Sequence, residues 1–411
     1  MVTRRGFLKS SAMLPLLLGQ EGEGISPTSK PSLPHVAVIG AGAMGGWTAW
    51  HLLRLGVKVT IVDAWGPGNS RSSSGGETRV IRTIYGGSRR HIEWSARSFA
   101  QWREMEKSWG RPLYHRTGAL WMFAGPDDYA RSSLEAMTSL GMAARELSLE
   151  EGWKRFPQIS FEGIRSVFVE EEAGYITARI ACEAVLESCR QQGAEYRQAA
   201  LAQFENHPAA RHPGSPFMTL SDETRLKADL YVLACGPWLG TLLPWSVGDL
   251  IRPTRQEVFF FGPPKSDTRF DEGNLPVWIE MGGSIFYGIP AAQGRGFKIA
   301  DDTRGEPLDP TFGDRVPSAE GIERARRAMA ARFPAMAQAP LLEARVCQYE
   351  NTPDGDFIVD RLAGRSDTWI VGGGSGHAFK MGPAIGEHVA RVVLGRAAQD
   401  PSLRLSRFKQ S

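Results

Sequence analysis

Cysteine is scarce in this chain. Four in 411 residues cannot supply a disulfide framework for so long a sequence. Cys182 and Cys189 fall seven positions apart in a helical pattern, roughly two turns or 10 Å, which is beyond the reach of a bond. They read as small buried apolar residues. Charge of a single sign is also missing: the net charge is +3 with 23% charged residues, acids and bases interspersed. Without a basic stripe the composition argues against nucleic acid as a partner. The apolar run from Ala12 to Leu18 is too short to cross a bilayer, which argues against a stable membrane anchor. There is no internal repeat, no long low-complexity tract, and no metal-ligand set to assign. What remains is a chain long enough for a large core and two intertwined domains.

The start of the chain stands apart. Thr3-Arg4-Arg5-Gly6-Phe7-Leu8-Lys9 precedes the Ala12–Leu18 run and resembles a twin-arginine export signal. The resemblance implies passage through the twin-arginine export machinery and an exported protein, in the bacterial periplasm. No cysteine follows the run, so a lipoprotein anchor is not indicated. From Gly19 to Pro34 the composition shifts to Gly, Ser, Pro and charge, as in a linker; the fold is expected to begin near His35.

The most informative stretch is Val36-Ala37-Val38-Ile39-Gly40-Ala41-Gly42-Ala43-Met44-Gly45. A buried strand leads into glycines that let the backbone turn tightly under a pyrophosphate. An amphipathic helix from Trp47 to Leu55 follows, then a second strand through Val57, Val59 and Ile61, with Asp63 placed for a ribose hydroxyl. Strand, turn, helix, strand and acid come in the order that a dinucleotide site requires.

After Asp63 the small-residue loop Gly66-Pro67-Gly68-Asn69-Ser70-Arg71-Ser72-Ser73-Ser74-Gly75-Gly76 cannot pack a core and is expected to run over a ligand. Helical spacing follows over 92–109, 178–192, 318–332 and 382–394. Thr117 to Phe123 reads as a strand, and Leu230 to Trp238 as a continuous central strand ending in a Gly-Pro turn. Strand-like runs broken by Gly and Pro occupy Phe259 to Ile299.

Several separate segments together resemble the monomeric sarcosine oxidase family, flavoprotein amine oxidases within the wider D-amino acid oxidase group. They are the Gly40 to Asp63 fingerprint, Gly76-Glu77-Thr78-Arg79-Val80-Ile81-Arg82, Thr117-Gly118, Ala234-Cys235-Gly236-Pro237-Trp238, Pro253-Thr254-Arg255-Gln256, Tyr287-Gly288-Ile289-Pro290 with Gly296-Phe297-Lys298, Cys347-Gln348-Tyr349 with Thr352-Pro353-Asp354, and Gly376-His377-Ala378-Phe379-Lys380. The resemblance runs from His35 to Leu394. It implies an α/β fold, α+β overall, in which an FAD-binding Rossmann-like doubly wound domain is interleaved with a mixed-sheet substrate domain. The expected division is 1–33 for export signal and linker, 34–90, 165–250 and 340–398 for the FAD-binding domain, and 91–164 and 251–339 for the substrate domain.

The same resemblance implies residue roles. FAD is expected at Gly40, Gly42, Met44, Gly45, Asp63, Arg79, Gly236, Gly376, His377, Phe379 and Lys380. Cys347 matches the position that tethers the flavin by a thioether, a step that requires a thiolate in electropositive surroundings. Arg82 and Lys380 match the pair that holds a substrate carboxylate, and Lys298 matches the lysine whose charge stabilises electrons arriving on dioxygen. Taken alone, Lys298 in a strand would read as part of a solvated face and Cys347 as a buried apolar residue. Asp302 falls where the family places a histidine, and Gly75 where a histidine often stands. Asp302 reads equally as a surface loop acid or as an anion near the substrate amine, disfavouring a second carboxylate on the substrate. Tyr349 and His377 read as pocket walls.

The resulting expectation is an FAD-dependent oxidase of the CH–NH bond of a secondary (N-methyl or cyclic) or primary amino acid, yielding an imine and hydrogen peroxide. Two alternatives stay open: a dehydrogenase passing electrons to a quinone or carrier, and a non-catalytic flavin-binding accessory protein.

Overall fold

The computed structural model describes residues 33–202 and 217–408. It divides into Met1–Leu33 and Pro34–Ser411, and the second unit carries every element below. The expected export signal lies outside the described residues.

A six-stranded sheet is built on the first strand, His35–Ile39. Its order is Ile358–Arg361, Thr368–Gly372, Leu230–Leu233, His35–Ile39, Lys58–Asp63, Glu195–Gln198, parallel throughout except for the first pair. Alternation sorts the side chains of that strand. Val36 and Val38 join the core beneath the helices, and Ala37 and Ile39 the core on the opposite face. Each fully buried Val or Ile contributes roughly 1.5–3 kcal/mol.

Helices Ala43–Arg54, Ala178–Gln191 and Gly382–Val393 cover one face. Trp47, 1% exposed, lies against Gly382 and Gly386, where a Cβ would stand 2.6 Å from its ring and 2.5 Å from its backbone. Those two glycines let the last helix press onto the first. The turn Phe379–Met381, which opens that helix, is thereby held in place.

The second layer is an eight-stranded sheet ordered Leu341–Asn351, Arg252–Phe261, Phe297–Asp301, Ile285–Ile289, Val277–Met281, Ala119–Phe123, Ser166–Glu170, Ala144–Leu147. It is antiparallel except for one parallel pair, Val277–Met281 with Ala119–Phe123. The helix Ala319–Arg332 packs on it through Ala325 and Met329. A smaller sheet, Thr78–Ile81, Gly174–Thr177, Tyr114–His115, carries Arg79 between the two layers. Ser166–Glu170 and Leu341–Asn351, which fall in segments expected to belong to the cofactor domain, pair within the eight-stranded sheet.

The strand expected over Leu230 to Trp238 stops at Leu233. Its chain turns away because the carbonyl of Ala234 lies against Gly40, Gly236 takes φ +53°, and Pro237 has no N–H to give a ladder.

Candidate functional site

The glycine turn fixes the upper end of the site. Gly40 adopts φ +112°, and its amide donates to the Val62 carbonyl at 2.7 Å. The helix Ala43–Arg54 begins without a capping side chain and without an acid in its first turn. Ser74 Oγ takes the Ala43 N–H at 3.0 Å, while the amides of Gly42 and Met44 have no partner among the described residues. Free N–H groups at the positive end of a helix dipole form an anion site suited to a pyrophosphate.

A cavity of about 340 Å³ opens in front of this turn. Of the residues expected to hold FAD, Gly40, Gly42, Met44, Asp63, Arg79, Gly236, Gly376 and Phe379 line it, as does Tyr349. Gly45 does not: a Cβ there would run into the Gly40 carbonyl, so its part is to let helix and strand meet. Asp63 accepts from Ala41 N at 2.8 Å, Trp65 N at 3.0 Å and Gly66 N at 2.8 Å. Burial raises its pKa, and these three amides work against the rise. Two buried oxygens on the lining, Ser73 Oγ and Glu350 Oε2, lack partners among the described residues. Uncapped amides as donors, with a buried acid at the second strand and unpartnered oxygens as acceptors, form a set that fits a flavin dinucleotide.

The sequence reading missed Glu350. Its side chain is 6% exposed; Oε1 accepts from Gly374 N at 3.1 Å, and burial pushes its pKa up to about 7. Alternation along Leu341–Asn351 carried the only signal. The loop from Gly66 to Gly76, expected over a ligand, contributes Asn69, Ser72, Ser73 and Ser74 to the lining.

Beyond Arg79 and Tyr349 lies a charged cluster. Arg79 Nη2 donates to Cys347 Sγ at 3.4 Å and to the Ser73 carbonyl at 2.9 Å. Lys298 is not on a solvated face. It is 3% exposed, and its Nζ donates to the Thr78 carbonyl at 3.2 Å. Burial, with Arg79 beside it, lowers its pKa to about 7.

Lys380, 6% exposed, donates to Tyr85 Oη at 3.0 Å and the His377 carbonyl at 3.2 Å. Burial and neighbouring Arg82 hold its pKa well below the usual lysine value. The Arg82 guanidinium donates to the Ile84 carbonyl and stacks over the rings of Tyr85 at 4.0 Å and Trp121 at 5.1 Å. Buried Glu170 lies behind it, accepting from Thr83 N and Trp121 Nε1, each at 2.7 Å. This counter-charge also escaped the sequence reading.

Asp302 is not a surface acid. Its Oδ1 accepts the Tyr349 hydroxyl at 2.6 Å. His377 donates from Nε2 to the Gly355 carbonyl at 2.8 Å and packs among Tyr85, His91 and Phe357; burial keeps it neutral. It lies behind the cavity wall rather than in it.

Comparison with known proteins sets this geometry in context. The family described as FAD dependent oxidoreductase matches residues 35–392. The chain is 29% identical to monomeric sarcosine oxidase of Bacillus sp., over 90% of this chain and 94% of that one. It is 28% identical to N-methyl-L-tryptophan oxidase of Salmonella arizonae, over 91% and 98%. Among solved structures, L-proline dehydrogenase from P. horikoshii superposes with a TM-score of 0.78 at 20% identity, covering 93% of this chain and 99% of that one. Amadoriase I from Aspergillus fumigatus does so with 0.73 at 21%, covering 92% and 91%. Those two are likenesses of fold.

Proposed function

The chain belongs to the FAD dependent oxidoreductase family, and we propose that it oxidises the C–N bond of a secondary (N-methyl or cyclic) or primary amino acid to an imine. FAD held at these residues would supply hydride acceptance from the carbon next to nitrogen and electron delivery to dioxygen as hydrogen peroxide. The free amides of Gly42 and Met44 receive the pyrophosphate, and Asp63 receives a ribose hydroxyl. Cys347 holds the cofactor covalently. Arg82 offers parallel donors to the substrate carboxylate and Lys380 adds a point charge, so that the pair fixes the reacting carbon. Lys298 supplies positive charge where electrons reach oxygen.

The observation that carries this reading is the convergence of Arg79, Arg82, Lys298 and Lys380, with Cys347, in the interior between the two sheets. Burial pushes both lysines toward their neutral forms, and an anion meeting them there would restore the charge. Relatives named for oxidising sarcosine and N-methyl-L-tryptophan support an N-substituted amino acid. We divide the chain into 34–90, 165–250 and 340–398 around the cofactor and 91–164 and 251–339 around the substrate, with Arg82 and Lys380 reaching the substrate from the first group. The arginine pair near the start supports export to the periplasm.

The test is anaerobic titration of the purified yellow protein with N-methyl, cyclic and primary amino acids, followed by admission of air. Bleaching and then peroxide is the expected result. Bleaching without peroxide would select a dehydrogenase, and a colourless protein would end the proposal.

A further inference from the structure

Asp301 and Asp302 are neighbours with opposite surroundings. At the end of the strand Phe297–Asp301, alternation turns Asp301 outward, where it pairs with Arg324 at 3.2 Å and accepts from Thr303 N at 2.9 Å. Asp302 turns inward, its amide tied to the Ile285 carbonyl at 2.7 Å. One carboxylate oxygen is taken by Tyr349. The other, Oδ2, has no hydrogen bond and no ion pair among the described residues. The residue is neither fully buried nor exposed, and burial is the leading influence on its carboxyl.

Tyr349 bonds to it, and the charged and titratable groups close enough to act on it are Tyr287 from another strand, Arg82 and Tyr85 from the segment after Thr78–Ile81, and Lys380 from the turn before the last helix; Asp301 is its neighbour in sequence. Asp302 thus acts on Arg82 and Lys380 without a hydrogen bond or ion pair to either among the described residues, alongside Glu170, whose oxygens are taken by Thr83 N and Trp121 Nε1.

We propose that Asp302 recognises the substrate amine and accepts its proton, so that the enzyme takes amino acids as zwitterions, carboxylate toward Arg82 and Lys380 and ammonium at Asp302 Oδ2. The inference rests on the oxidation reading above and names the substrate form. An ammonium has no lone pair to assist departure of a hydride from the adjacent carbon. One N–H bond breaks and its electron pair stays on nitrogen; an O–H bond forms at Oδ2. The step consumes no oxidant. Burial raises the pKa of Asp302 against the pull of the Tyr349 hydrogen bond, Arg82 and Lys380, which suits a carboxylate that takes up a proton. The Tyr349 hydroxyl occupies Oδ1 and leaves Oδ2 turned to the ligand. A second carboxylate on the substrate would meet Asp302 and be rejected.

The experiment compares the holoenzyme with Asp302→Asn, which keeps an oxygen for Tyr349. Probes are sarcosine, proline and methylthioacetate, a carboxylate in which sulfur replaces the amine nitrogen. Binding is read from perturbation of the flavin spectrum, and reduction from anaerobic bleaching across pH. The substitution should leave methylthioacetate affinity within about threefold and weaken the amines by about tenfold or more at neutral pH. It should slow reduction by about a hundredfold there, with recovery as alkaline solvent supplies free amine. Equal losses for methylthioacetate and the amines, or a reduction profile unchanged with pH, would overturn the assignment. If no amine bleaches the parent, the oxidation reading fails, and the Asp302 assignment is judged by the binding comparison alone.

Discussion

Arg79 donates from Nη2 to the sulfur of Cys347 across 3.4 Å, joining the strand after the small-residue loop to the long strand Leu341–Asn351. The contact holds the sulfur in place beside the small-residue loop, and a thiolate is the form of cysteine that bonds to carbon. Cys347→Ser should therefore yield a yellow protein whose flavin is released on denaturation, and Arg79→Gln should lower the tethered fraction while leaving Cys347 in place. Flavin fluorescence in a denaturing gel reads both; a parent band without fluorescence removes the covalent bond from the mechanism.

Lys298 sets a pH dependence. Burial, then Arg79, lowers its pKa from the ordinary lysine range to about 7, so the ammonium is present below that pH and lost above it. Reoxidation of the reduced enzyme by air should slow as pH rises through about 7. Lys298→Met should be slower by about a hundredfold or more, and flat with pH. Stopped-flow mixing with oxygenated buffer measures both, and matching rates in variant and parent would deny Lys298 that part.

The cofactor half of the site was legible in sequence because its signals are local: Gly40, Gly42 and Asp63 lie within one strand-turn-helix-strand unit, and each glycine answers a backbone requirement. The substrate half was legible only through resemblance, since Arg82, Lys298 with Asp302, and Lys380 come from three distant segments that periodicity does not connect. Glu350 and Glu170 were invisible for a third reason. Each is an acid whose burial depends on which sheet face meets the other layer, and alternation alone does not say which face is wet. The strand expected over Leu230 to Trp238 is shorter than its run because the ladder ends at Leu233 while apolar residues continue into the Gly236–Trp238 turn, and an apolar run alone does not show which of its residues pair.

Glu350 predicts a stability change of definite sign. Its carboxyl is buried with Oε2 unpaired, and its pKa is raised from the usual carboxylate value to about 7. The folded state keeps a proton that the unfolded chain releases at lower pH, so stability falls as pH rises from the ordinary carboxylate range to about 7. Glu350→Gln should be nearly neutral near pH 4 and stabilising by roughly 2–3 kcal/mol at pH 8. Denaturant unfolding at the two pH values checks this, and a penalty that does not change with pH would place the carboxylate in a partnered environment instead.

Gly45 tests the packing beneath the cradle, where helix propensity and contact oppose each other. In an exposed helix, glycine to alanine gains up to about 1 kcal/mol. At Gly45 the new methyl would meet the Gly40 carbonyl and stand 3.0 Å from Ala234 Cβ, both held by the parallel pairing of His35–Ile39 with Leu230–Leu233. Overpacking of this kind costs about 1–3 kcal/mol, so the contact outweighs the propensity and Gly45→Ala should destabilise the fold and weaken FAD retention together. Gly87, where a Cβ meets nothing within 4 Å, is the control: Gly87→Ala should lie within about 1 kcal/mol of the parent. Equal unfolding midpoints for the two variants would mean that the helix and the strand are not in contact at Gly45.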